Sequence, residues 1–214
     1  MASLYQLKPA FQNRLRPVVQ ALARRGAAPN QLTLAALLLS MAAGAALIIF
    51  PRNAPVLLAI PLVMFARMML NAMDGMLARE HHMQTVTGGL LNELCDVLSD
   101  CALYLPFVFV LPEAAAWVVM FTVFAVLTEF AGVLAQALGA ARRYDGPMGK
   151  SDRAFLFGLL ALLLGAGVAP GPWCVMLVAA GCALTLLTVF RRIKNGVIEI
   201  EQRNRQSGDS DQSN

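Results

Sequence analysis

Apolar stretches broken at intervals by proline, glycine or charge run through most of the chain. A helix needs about 20 residues to cross a hydrocarbon core about 30 Å thick. Six stretches reach or approach that length: Gln31–Phe50, Ala54–Arg79, Gly88–Leu111, Pro112–Ala141, Arg153–Val168 and Pro170–Phe190. Pro51, Asn53, Pro112, Pro170 and Gly171 punctuate them. Upstream, Leu4, Leu7, Phe11, Leu15, Val18, Val19 and Leu22 recur at helical spacing with basic residues opposite. That pattern predicts an amphipathic helix lying on the membrane surface over residues 1–26. Beyond Lys194 the chain turns polar, and 206–214 has the composition of a disordered tail. The expected fold is all-α: a polytopic membrane domain of six helices over 27–193, the surface helix before it and a polar tail over 194–214.

Composition rules out the soluble alternative. Of 214 residues, 58% are hydrophobic and 14% charged, against about 25% charged in a soluble domain. Met1–Arg25 lacks the apolar core of a signal peptide, so the first span is expected to direct its own insertion. All of the 17 Lys and Arg residues except Arg52 and Arg67 fall on one side of this six-span layout. The positive-inside rule therefore predicts that both termini are cytoplasmic. The basic excess is then a topology signal, and no nucleic-acid partner is expected. Cys95, Cys101, Cys174 and Cys182 lie in apolar stretches without metal-ligand spacing and read as small apolar residues.

Ionisable groups inside a membrane are expensive and point to function. In the second span Arg67, Asn71, Asp74 and Ala78 follow steps of four, three and four, and so share one helical face. In the third, Asn92, Asp96 and Asp100 form a similar stripe, with Glu93 beside it. At a rise of about 1.5 Å per residue, Asp74 and Asn92 lie about 6–7 Å below the cytoplasmic end and Asn71 and Asp96 about 12 Å. Oxygen ligands converging at matching depth suit a hard divalent cation. A purely structural polar network between the helices is the competing reading.

These residues resemble the signature of the membrane CDP-alcohol phosphotransferases, Asp-x2-Asp-Gly-x2-Ala-Arg-x8-Gly-x3-Asp-x3-Asp. The chain reads Asn71-x2-Asp74-Gly75-x2-Ala78-Arg79-x8-Gly88-x3-Asn92-x3-Asp96, with every spacing kept. Pro29-Asn30-x2-Thr33 also resembles the family pattern, and the likeness spans residues 1–195. The resemblance implies attack of an alcohol hydroxyl on a CDP-linked donor, with CMP leaving. It implies Asn71, Asp74, Asn92 and Asp96 as metal ligands, Asp74 and Asp96 as catalytic residues and Asp96 also as general base. Glu93 and Asp100 are further candidate ligands. Asn30, Thr33, Gly75, Ala78, Arg79 and Gly88 would bind the nucleotide and its pyrophosphate. The implied cofactor is Mg²⁺ or Mn²⁺, one or two ions, because two of the four motif carboxylates are Asn here. The implied partners are CDP-diacylglycerol, a polar alcohol and membrane lipids, with a homodimer in a bacterial inner membrane.

Three alternatives stay open: a soluble CDP-alcohol donor with diacylglycerol as acceptor, a transporter, and a catalytically silent scaffold. Two further expectations concern charge. Arg67, Asp100 and Glu129 each lie about 18 Å from the cytoplasmic end of their spans, predicting a structural ion network among them. Between the fourth and fifth spans, Lys150 and Arg153 sit at a helix start after Gly149, with Arg142 and Arg143 upstream. A helix N-terminus with added basic side chains favours an anion, so Lys150 and Arg153 are expected to bind a phosphorylated acceptor such as glycerol 3-phosphate or an inositol phosphate, with Arg142 and Arg143 as further candidates that positive-inside anchoring also explains.

Overall fold

The computed structural model describes the backbone of residues 4–211 and the side chains of residues 11–205. All regular structure in that range is helical: α1 (Leu4–Arg24), α2 (Pro29–Ile49), α3 (Ala54–Glu80), α4 (Val86–Tyr104), α5 (Phe107–Val110), a 3-10 turn at Pro112–Ala114, α6 (Ala115–Ala137), α7 (Lys150–Gly165) and α8 (Pro172–Asp211). The chain forms two compact units, Met1–Pro106 and Phe107–Asn214.

The helix boundaries follow local chemistry. Pro29 opens α2, where its missing N–H is no loss, and the Gln31 side chain accepts from the Ala28 N–H at 3.0 Å. Asn53 caps α3 by accepting from Val56 N–H at 3.2 Å, and Thr85 caps α4 by accepting from Gly88 N–H at 2.9 Å. Between α3 and α4 the chain reverses through His82, which takes a positive φ of 55°.

In the first unit α2 packs against both α3 and α4, and α1 packs against α3. A Cβ on Gly44 would overlap the Ala102 carbonyl oxygen, so only glycine permits this approach of α2 to α4. Leu15 and Val19 of α1 are buried with Leu32, Met73, Met76 and Leu77, while Val18 stays 48% exposed. The α1 side chains that the apolar pattern used at Leu4 and Leu7 lie outside the described residues. In the second unit α8 packs along α6, and Phe157 meets Phe107 and Phe121 edge-to-face at 4.9 and 5.0 Å between ring centres.

Among the described residues four helices are long and apolar enough to cross a membrane: Pro29–Ile49, Ala54–Glu80, Pro112–Ala137 and Pro172–Arg205. Large apolar side chains on their outer faces, Leu38, Leu62, Phe130 and Phe190 among them, are exposed. This chain is a membrane protein. The third expected span is shorter than the apolar pattern suggested, and the fifth keeps its expected length but starts three residues earlier, at Lys150. α4 stops at Tyr104 and not at Leu111, because Pro106 has no N–H to continue the hydrogen-bond ladder and its ring crowds the preceding turn. α7 has 16 residues and ends near Gly167, which adopts a positive φ.

The polar tail also differs from expectation. α8 continues to Asp211 with no break where composition suggested disorder from Gln206; residues 212–214 lie outside the described part. Glu199 with Arg203 and Glu201 with Arg205 are i, i+4 pairs that favour helix once a long apolar segment has nucleated it.

Candidate active site

α3 and α4 face each other through a ladder of polar side chains. At the outer rung, Asn92 Nδ2 donates to Asp74 Oδ2 at 3.1 Å. One turn deeper, Asn71 Nδ2 donates to Asp96 Oδ1 at 2.8 Å. Deeper again, Arg67 Nη1 donates to Asp100 Oδ1 at 2.6 Å and Nη2 to the Asp96 carbonyl at 3.0 Å. The ladder arises because the 67–71–74 and 92–96–100 stripes each keep one helical face. α2 adds a third side: Thr33 Oγ1 lies 2.7 Å from Asp74 Oδ2 and 3.3 Å from the Pro29 carbonyl. A hydroxyl has one proton, and the shorter bond to the carboxylate takes it.

Beside the two outer rungs is a cavity of about 390 Å³, and Asn30, Thr33, Asn71, Asp74, Gly75, Ala78, Arg79, Gly88 and Asn92 all line it. The sequence therefore marked most of this wall. Gln84 and Thr85, which also line it, were not foreseen; they belong to the short turn between two motif halves and carry no spacing signal. The Arg79 guanidinium folds back over Gly75, about 3.1 Å from where a Cβ would stand. Gly75 thus makes room for Arg79 as well as for a ligand. At Gly88 a Cβ would meet Asn30 Oδ1 at 2.9 Å, so glycine lets α2 and α4 close on the cavity mouth.

The donor set suits a hard divalent cation: two carboxylates, Asp74 and Asp96, with two amide oxygens, Asn71 and Asn92. Among the described residues no three Asp, Glu, His or Cys side chains come together as a metal cluster, so the amides are needed to complete the set. Asp100, a candidate extra ligand, is instead buried against Arg67. Glu93 is half-buried on α4 beside this ladder.

The second unit holds its own charged cluster. Glu129 accepts from Arg142 at 3.2 Å and from Arg153 at 2.8 Å, and Arg192 lies 3.5 Å away. Arg153 also donates to Thr128 Oγ1 at 2.8 Å, and Arg192 to the Thr128 carbonyl at 2.5 Å. Glu129, which the sequence pattern groups with Arg67 and Asp100, meets three guanidiniums within its own unit. Counting depth along each helix gives a level but not the direction a side chain faces. Arg192 escaped the sequence reading because it resembled a topology signal, yet Thr185, Thr188 and Arg192 form a buried stripe whose phase points it inward.

Among the basic residues of the expected acceptor site, Arg143 bonds to two carboxylates. It grips Asp145 through two bonds of 2.7 and 3.0 Å and Glu199 at 2.7 Å. Burial pushes the Asp145 carboxyl up, but the Arg143 guanidinium pulls it further down, leaving it below the usual carboxylate range. At the start of α7, Asp152 itself accepts from the Gly149 N–H at 2.9 Å, so the helix end carries an internal anion. Lys150 is half-buried at the first position of α7.

A helical membrane protein with a motif-bearing helix pair and an oxygen-rich cavity is the class defined so far. The sequence profile of one such family, CDP-alcohol phosphatidyltransferase, matches residues 27–195. The chain belongs to that family. It is 46% identical over 195 residues to the inner membrane protein YnbA of Escherichia coli (strain K12), covering 90% of this chain and 96% of that protein. Its fold is similar to the Mycobacterium tuberculosis phosphatidylinositol phosphate synthase (PgsA1) with CDP-DAG bound, with a TM-score of 0.71 at 20% identity, covering 84% of this chain and 92% of the other. The same enzyme in complex with manganese and citrate gives a TM-score of 0.70 at 21% identity over 84% and 87%.

Proposed function

We propose that this protein transfers a phosphatidyl group from CDP-diacylglycerol to a polar, phosphorylated alcohol and releases CMP. The observation that carries this reading is the cavity where Asp74, Asn71 and Asn92 meet Arg79 beneath the bare backbone of Gly75 and Gly88. A lipid-linked donor fits a membrane protein whose outer faces are apolar. Asn30 and Thr33 would hold the nucleoside end, and Arg79 the pyrophosphate through charge-assisted bonds. Asn71, Asp74, Asn92 and Asp96 would hold Mg²⁺ or Mn²⁺, which when bound neutralises charge on the pyrophosphate. Asp96 is placed one turn deeper, where it can take the proton of the attacking hydroxyl. The acceptor oxygen then bonds to the lipid-bearing phosphorus, and the bond from that phosphorus to CMP breaks. Positioning and charge neutralisation suffice for such a transfer.

The cluster of Arg142, Arg153 and Arg192 around one carboxylate is net positive and supports an acceptor with an anionic group; Lys150 adds a further cation. We include in this reading six membrane spans, both termini cytoplasmic in an inner membrane, α1 lying on the membrane surface, and a homodimer.

Detergent-purified protein incubated with CDP-diacylglycerol and Mg²⁺ or Mn²⁺ should release CMP when glycerol 3-phosphate or an inositol phosphate is added, and form the matching phospholipid. CMP release only from a soluble CDP-alcohol with diacylglycerol would reverse the donor assignment. Absence of CMP with every donor and acceptor would remove the enzymatic reading.

A further inference from the structure

The two asparagines in the motif each bond across the helix pair. Asn71 of α3 donates to Asp96 of α4, and Asn92 of α4 donates to Asp74 of α3. Each rung therefore pairs one carboxylate with one amide, and neither rung brings two carboxylates together. Each amide presents its nitrogen to the carboxylate, with Asn92 Nδ2 3.1 Å from Asp74 Oδ2. The same holds for Asn71 against Asp96 at 2.8 Å.

Replace both asparagines by aspartate in this frame and each rung sets two carboxylates about 3 Å apart with no N–H between them, a pairing whose repulsion a cation would have to bridge. Two rungs would then call for two cations. As built, each rung holds one carboxylate braced by an N–H donor; Arg67, 3.8 Å from Asp96, is offset by Asp100 at 2.6 Å, so the two rungs together balance one divalent ion. The amide oxygens remain available as neutral ligands.

We propose that Asn71 and Asn92 are internal braces that reduce this centre to a single-cation site, with Asp74 and Asp96 supplying the charge and the asparagines holding α3 to α4 where a second cation would otherwise be needed. The proposal rests on the divalent-metal reading of the site, but its test does not depend on turnover.

The full chain, purified in detergent and stripped with a chelator, is titrated with Mn²⁺ in the absence of nucleotide and followed by electron paramagnetic resonance. The wild type should take up one Mn²⁺ per chain with an uncoupled six-line spectrum, and Asp74→Ala should lose it. The double variant Asn71→Asp/Asn92→Asp should take up two, with the broadening of neighbouring spins. Thermal melts give a second readout: chelator should leave the wild type unchanged and destabilise the double variant until Mn²⁺ is restored. Two coupled ions in the wild type, no ion in it, or a wild-type melt that collapses in chelator would each overturn the proposal. One bound ion without CMP release would defeat the enzymatic reading and leave this one standing; two ions with CMP release would do the reverse.

Discussion

Between α3 and α4, three carboxylates, Asp74, Asp96 and Asp100, share a ladder with one guanidinium, Arg67; in the second unit one carboxylate, Glu129, is ringed by Arg142, Arg153 and Arg192. The two clusters are near mirror images in charge. The first borders a cavity, and its excess negative charge suits a cation. The second gathers three guanidiniums, two of them buried, around one carboxylate, which supports the proposed anionic acceptor. A membrane interior tolerates charge only when it is compensated, and the proposed ligands of the two clusters are of opposite sign. The ion pair at the foot of the ladder is different: Arg67 and Asp100 are both buried and 2.6 Å apart, with charges that balance.

The sharpest way to break this contrast is at the ladder. Asp96→Ala should lower CMP release on the order of 10²–10⁴-fold, the range for loss of a general base, and Asp74→Ala should do at least as much. Both should stay folded in detergent by circular dichroism. Activity close to wild type in Asp74→Ala would show that the ladder is only structural.

Next comes a stability comparison between the two buried charge groups. Arg67→Leu removes the guanidinium facing Asp100 and should destabilise by about 3–5 kcal/mol, the usual result of breaking a buried pair. Arg153→Leu should be milder, about 1–2 kcal/mol, because two guanidiniums still face Glu129 and a surplus positive charge is removed. Chemical or thermal denaturation of the two variants side by side measures the difference. Equal losses would mean that the arginine cluster carries no surplus.

A smaller effect should separate acceptor from donor. Lys150→Ala removes one charge-assisted contact, worth about 1.5 kcal/mol, and should raise the acceptor KM about tenfold while leaving CDP-diacylglycerol binding unchanged. Steady-state kinetics with each substrate varied in turn gives the split.

The smallest expected effect is pH-dependent. Arg143 holds the Asp145 carboxyl below its usual range, so this pair stabilises the fold above the unfolded carboxylate pKa of about 3.9. Its contribution is lost as pH falls through the lower folded value. The melting temperature of the wild type should exceed that of Asp145→Asn at pH 6, and the gap should close towards pH 3. A gap independent of pH would mean that Asp145 acts through packing and not through charge.

What the sequence alone determined is local or periodic. Hydropathy marked where the apolar helices run, because a lipid environment leaves an unpaired backbone no alternative. The motif spacing placed Asn71, Asp74, Asn92 and Asp96 on two facing stripes and named most of the cavity wall, because a helix converts spacing into direction. What it could not supply was contact between residues far apart in the chain. That Asn71 meets Asp96 and Asn92 meets Asp74, and that Thr33 from α2 joins them, depends on how three helices are rotated against one another. Depth alone did not foresee that Glu129 meets Arg142, Arg153 and Arg192 or that Arg143 bonds to Asp145 and Glu199, and Arg192 emerged as a partner only through the burial of α8. Polar side chains in a dry interior must find partners, but the sequence states only that requirement. Which partner satisfies it is decided by packing, where a turn of helix in either direction brings a different residue within reach.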